Sequence, residues 1–283
     1  AQPLHDNHTP LAALALLVGG LVALVLGFLQ LDGVIAPGAP CLPIGGVLLA
    51  GGFALAIWNL ACTLWAAPKR PLPSRFVAVG LVSLAATAAL GIVFALALGG
   101  ATTSPTLLRL TPAALPAHVI AGLGGWLTFA AMGVSYRLLA MFMLAPELDR
   151  LSTRLALYLG AGSLALAVLG GVAVILLEGP LAPVLLAAGA LGVAALAVYG
   201  RDVRYLYKAR KRPRIELNSR VAALAFASLA AAVVLILALL ALGRLSDHIG
   251  AVVFLVAFGW LTGLGLSQLY KIVAFLTWLE CYG

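Results

Sequence analysis

Charge is what this chain most lacks. Only 9% of its 283 residues are Asp, Glu, Lys or Arg, while 64% are hydrophobic; a soluble domain carries about 25% and about 45–50%. The mean hydropathy is +1.14. An ordinary soluble enzyme, a disordered chain and a nucleic-acid-binding domain are excluded. Cysteine is scarce as well. Cys41, Cys62 and Cys281 are too few and too scattered for a disulfide framework or a zinc cluster. Carboxylates are missing from the middle of every apolar run. Asp32, Glu178 and Asp247 lie at one set of run ends, and Glu147, Asp149, Asp202, Glu216 and Glu280 at the other. That argues against a proton-coupled pump or a cation transporter, which need ionisable groups at depth. The N-terminus lacks the basic n-region of a secretory signal, and its first apolar run is too long for one. A start at Ala1 fits removal of an initiator Met.

What is present is long apolar runs. A membrane-spanning helix needs about 20 mostly apolar residues. Eight stretches qualify: Pro10–Gln30, Leu42–Ala66, Phe76–Gly99, Ala114–Met143, Leu155–Leu177, Leu181–Tyr199, Val221–Gly243 and Ile249–Thr277. Pro and Gly punctuate them, at Gly33, Pro37, Gly38 and Pro40, at Pro68, Pro71 and Pro73, and at Gly179-Pro180. Basic residues crowd the loops after the second, fourth and sixth spans. Lys69, Arg70 and Arg75 lie in the first of these, Arg137, Arg150 and Arg154 around the second, and eight from Arg201 to Arg220 in the third. Only Arg109 and Arg244 fall at the other ends. The positive-inside rule then places both termini in the cytoplasm. The run Lys208-Ala209-Arg210-Lys211-Arg212 is a topology signal that can also hold anionic headgroups.

The chain also repeats itself. Gly125-Trp126-Leu127-Thr128 followed by Tyr136-Arg137 recurs as Gly259-Trp260-Leu261-Thr262 followed by Tyr270-Lys271, at the same Trp-to-Tyr interval. Ser74-Arg75 with Ser83-Leu84-Ala85-Ala86 recurs as Ser219-Arg220 with Ser228-Leu229-Ala230-Ala231. Lys69-Arg70-Pro71 recurs as Lys211-Arg212-Pro213, and Val47-Leu48-Leu49-Ala50 as Val184-Leu185-Leu186-Ala187. Four matches in one order indicate a duplication. The expected fold is an all-α integral membrane protein of eight transmembrane helices. Residues 1–145 and 146–283 form two parallel four-helix repeats, related by an axis along the membrane normal.

The polar residues inside the spans (Asn59, Thr63, Ser83, Thr87, Thr128, Ser135, Ser163, Ser228, Thr262, Ser267 and Gln268) are expected to bond helix to helix. His118 lies in the outer part of the fourth span. His248 lies one turn further out on the same face of its repeat-equivalent, the eighth. Two such imidazoles can ligate one haem iron in a bundle, or simply bond water, lipid or backbone. Gly122, Gly124 and Gly125, like Gly259, Gly263 and Gly265, admit either a neighbouring helix or a flat cofactor. Trp126 and Trp260 either line a cofactor edge or fill the core. His5 and His8 sit at metal-clip spacing in what reads as a flexible polar terminus. Met132, Met141 and Met143 read as packing.

The segment from His118 to Trp126, with Met132-Gly133-Val134-Ser135-Tyr136-Arg137-Leu138-Leu139-Ala140-Met141-Phe142, resembles bacterial membrane proteins related to haem–copper oxidase subunit I and to the NnrS-like family. Tyr270-Lys271-Ile272-Val273-Ala274-Phe275-Leu276-Thr277-Trp278-Leu279 resembles their C-terminal signature. The resemblance implies haem b, with copper in some members. It implies His118 as first ligand and His248 as a candidate second, with Gly122, Gly125, Trp126 and Trp260 around the cofactor. Val252 stands where the second copy would carry its own His118. The chain has four histidines in all, so a binuclear oxidase centre is not implied. The expected role is electron transfer or haem or metal handling, with a redox partner or membrane-complex subunits alongside the lipid bilayer. The rivals are a cofactor-free permease for a neutral substrate and a non-catalytic subunit or assembly factor.

Overall fold

The structure is a computed structural model and describes residues 4–36, 38–69 and 71–282. The described residues form helices and no strand: α1 (Thr9–Leu31), α2 (Cys41–Ala66), α3 (Leu72–Leu98), the short α4 (Pro105–Ala113), α5 (Leu115–Met143), α6 (Leu151–Leu176), α7 (Leu181–Lys208), α8 (Leu217–Ala241) and α9 (Ile249–Tyr282). All but α4 are long and apolar enough to cross a membrane. The chain is a multi-pass membrane protein.

Several helix limits differ from the apolar runs. The third helix starts at Leu72, not Phe76. Its Pro73 occupies the first turn, where a missing amide donor costs nothing. The sixth continues past Tyr199 to Lys208, and the eighth past Thr277 to Tyr282. Charge ends an apolar run without ending a helix, because Arg and Lys are good helix formers. The helix α4 lies in a segment that reads as a loop. It forms because Leu110 is buried in a cluster with Leu90 and Phe94 of α3, Ala114, and Ala117 of α5. Its Arg109 pairs with Glu178. Arg244 likewise faces Asp247 at 3.5 Å. The two basic residues at the sparsely charged ends therefore each have an acidic neighbour.

Contacts divide the chain into two compact units, residues 1–126 with 161–192 and residues 127–160 with 193–283. The helices α5, α6 and α7 each pass from one unit into the other.

In the first unit, α1 and α2 meet along a seam of glycines. A Cβ added at Gly20 would stand 2.8 Å from the Leu49 nitrogen, and one at Gly45 2.8 Å from that of Leu24. Gly27 on Leu42 and Gly52 on Leu17 repeat the contact. Each helix places its two glycines seven residues apart, the interval that keeps one face on a partner. Small residues here let the backbones close, the usual source of helix attraction in a bilayer.

Residues 5–9 are held by hydrogen bonds, where a flexible polar segment was expected. Asn59 of α2 clasps Asp6: its Oδ1 accepts from the Asp6 amide at 3.1 Å, and its Nδ2 donates to the Asp6 carbonyl at 2.8 Å. The His5 amide donates to Thr63 at 3.0 Å. The Asp6 carboxylate in turn accepts from the Thr9 hydroxyl and from the amides of His8 and Thr9. These bonds hold its carboxyl below the usual carboxylate range, the Thr9 hydroxyl foremost.

In the second unit, Trp260 is fully buried against Phe226 (ring centroids 5.3 Å) and Tyr199 (6.3 Å). Glu216 receives Arg212 and, at 2.7 Å, Lys271. This ties the start of α8 to α9. Most span hydroxyls do not bond helix to helix as expected. Thr87, Ser228, Thr262 and Ser267 donate to carbonyls of their own helix, the nearest acceptors a hydroxyl meets. Ser163 does cross, to the Ala188 carbonyl at 2.7 Å.

Replacing Gly20 by Val should destabilise the protein by about 1–3 kcal/mol, the cost of overpacking, read as a lower unfolding midpoint in detergent. The Asp6 turn should depend on pH in one direction. Its folded carboxyl ionises below the ordinary 3.8, so its contribution is complete above that value and fades as pH falls below it. Hydrogen exchange of the His8 and Thr9 amides should quicken in that acid range, and Asp6→Asn should remove the dependence.

Candidate functional site

The site is built on the contact between α3 and α5 inside the first unit. His118 lies in the first turns of α5, just before the helix widens into π turns at Ile120–Leu127. Such turns recur at functional sites. The α3 side presents Ser83, Thr87 and Gly91, spaced four apart and so on one face. Against them α5 sets Gly125 on Ser83, Gly122 facing Thr87, where an added Cβ would stand 3.4 Å from the methyl, and His118 beside Gly91. Phe94 of α3 adds a ring 5.3 Å from the imidazole.

The imidazole has two distinct nitrogens. The Thr87 backbone lies beside the ring. Nδ1 is buried and has no partner among the described residues. A carbonyl can only accept, so if Nε2 donates to it, Nδ1 carries the lone pair. This is the arrangement in which a metal-binding histidine is set: one nitrogen fixed by a carbonyl, the other free to ligate. Gly91 lets the ring lie close against α3. A Cβ there would stand 3.2 Å from Cε1 and 3.9 Å from Nδ1, crowding the ring. The donor chemistry of His118 fits one axial bond to a haem iron.

The other expected residues divide between the units. Gly122 and Gly125 join His118 on the α3 seam, where each is taken up by helix contact. Trp126 is half-buried in the same unit. His248 and Trp260 belong to the second unit. His248 is exposed and precedes the first turn of α9. Trp260 fills the aromatic core. Among the described residues, no three His, Cys, Asp or Glu side chains gather where a metal ion could be held. Met132 and Met143 are buried, whereas Met141 is half exposed.

Sequence reasoning missed the strongest polar cluster. Asp202 of α7 is 4% exposed. It accepts from Ser152 at 2.7 Å and from Thr153 and Tyr136 at 3.1 Å each. Beside it, Ser135 and Tyr199 share a 2.6 Å bond. Three hydroxyls satisfy a carboxylate that has no cation, so the cluster is a structural hub of the second unit. Asn218, also buried, leaves both amide atoms unpaired. No family model, no curated protein and no solved structure matches this chain.

Asp202→Ala should lower stability by about 3 kcal/mol or more, since each buried hydroxyl left unmet costs about 1–3 kcal/mol. Asp202→Asn should fall between the two. Thermal unfolding in detergent measures both.

Proposed function

We propose that this chain is a haem-binding protein of the bacterial cytoplasmic membrane, with both termini in the cytoplasm, that serves electron transfer or the handling of haem. The observation that carries this reading is the free, buried Nδ1 of His118, oriented by the Thr87 backbone. His118 would hold a b-type haem, and the bound haem would supply one-electron chemistry. The chain's own part is to seat the imidazole against Gly91 and to keep water away with Phe94 and the cluster around Leu90 and Leu110. The reading rests on His118 alone.

The same proposal includes a duplicated architecture of two parallel four-helix copies. Two structural correspondences support it. Gly125 packs on Ser83, and Gly259 packs on Ser228, where an added Cβ would stand only 2.7 Å from the serine Cβ. The π turns of α5 at Ile120–Leu127 also recur in α9 at Leu255–Thr262, at the two Gly-Trp motifs.

Detergent-purified protein from cells supplied with haem should show a b-type reduced-minus-oxidised spectrum and one pyridine haemochrome per chain. His118→Ala should abolish the Soret band. Gly91→Val, which crowds the ring, should reduce haem content severalfold while the protein stays monodisperse. A haem-free wild type would overturn the reading in favour of a cofactor-free permease or a non-catalytic membrane subunit.

A further inference from the structure

Each unit carries a lengthwise apolar groove with an arginine at one end. In the first unit a groove of ≈ 430 Å³ runs between α2 and α3. Ile57, Ala61 and Trp65 form one wall, Ala78, Leu81 and Val82 belong to the other, and Arg75 lies at its end. In the second unit a groove of ≈ 530 Å³ runs between α7 and α8, past Ala197, Gly200, Ala223, Phe226 and Ala227 to Arg204. Tyr207 closes its floor there by donating to the Ser219 carbonyl at 2.5 Å.

The grooves occupy matching places. Ala78, Leu81, Val82 and Ala85 line the first; Ala223, Phe226, Ala227 and Ala230 line the second. The interval between the two sets is the one that separates Ser74-Arg75 from Ser219-Arg220. Arg220 thus stands one turn before Ala223, at the end where Arg204 lies. A surface lined at corresponding positions in both halves is unlike a chance gap in side-chain packing.

Charge and length select the occupant. Arg75, Arg204 and Arg220 are exposed, and none has an acidic partner among the described residues. Three other basic side chains are used differently: Arg212 and Lys271 are paired with Glu216, and Arg150 lies over Tyr205. From Arg75 to Ala85 the α3 wall rises about 15 Å, at about 1.5 Å per residue. That is one leaflet of a hydrocarbon core of about 30 Å. An apolar trough one leaflet long, with an unpaired guanidinium at its end, matches an acyl chain joined to a phosphate. Arginine forks suit phosphate oxygens.

We infer that the two grooves each seat an anionic phospholipid, its acyl chain along the helix pair and its phosphate on Arg75 in the first unit and on Arg204 with Arg220 in the second. This inference does not depend on haem.

Native mass spectrometry of the delipidated full chain tests it, with phosphatidylglycerol, phosphatidylcholine and glycerol 3-phosphate as separate probes. Two phosphatidylglycerols should bind per chain. Affinity should fall about fivefold per arginine removed, the equivalent of about 1 kcal/mol per basic residue at a membrane surface. R75Q should weaken one binding event and R204Q/R220Q the other, while R204K/R220K should restore most of the loss. A85F and A227F, which fill the grooves with every arginine kept, should each remove one lipid. Equal binding of phosphatidylcholine would overturn the inference. So would glutamine variants that keep both lipids, since the arginines would then serve topology only. Glycerol 3-phosphate binding with the same arginine dependence would also overturn it, by making the groove irrelevant. Monodisperse elution and an unchanged unfolding midpoint confirm that each variant is folded.

Discussion

Close approach of helix backbones at small residues is the contact on which this structure depends. A bilayer gives helices no hydrophobic reason to associate, because lipid tails are as apolar as their side chains. What remains is dispersion, which decays steeply with distance. Gly20, Gly27, Gly45 and Gly52 bring α1 against α2. Gly122 and Gly125 bring α5 against α3, and Gly259 brings α9 against α8. These approaches also decide where chemistry can sit. The α3–α5 seam that buries Nδ1 of His118 is closed by two of these glycines, and a third, Gly91, gives the imidazole its space.

Legibility in the sequence followed the range of the interactions. Spans depend on runs of apolar residues, so all eight were readable, while several limits failed, as where Pro73 opens α3 ahead of its apolar run and where Arg201, Arg204 and Lys208 continue α7 beyond its apolar part. The helix α4 was unreadable because its stability lies in burying Leu110 against α3, which the local sequence does not announce. Hydroxyl bonding was misjudged for the opposite reason: Thr87 and Ser228 found acceptors within their own helices before reaching a neighbour.

The site was half legible. His118, Gly122 and Gly125 stood out on one helix, but the face that receives them did not. Ser83, Thr87 and Gly91 have the right spacing for it, yet nothing in the local sequence says that α3 is the partner. Asp202 shows the same limit from the other side. By position it is one more charge near a span end. Only the fold brings Tyr136, Ser152 and Thr153 from distant segments to surround it.

The clasp between Asn59 and Asp6 reaches across 53 residues of chain. Its consequence belongs to biosynthesis. When α1 first leaves the ribosome, the amide and carbonyl of Asp6 have no partner in the chain. They gain one only after most of α2 has been made and has turned back along the first helix. The fastening that completes this hairpin is therefore the last to form within it, although it holds residues made before either helix.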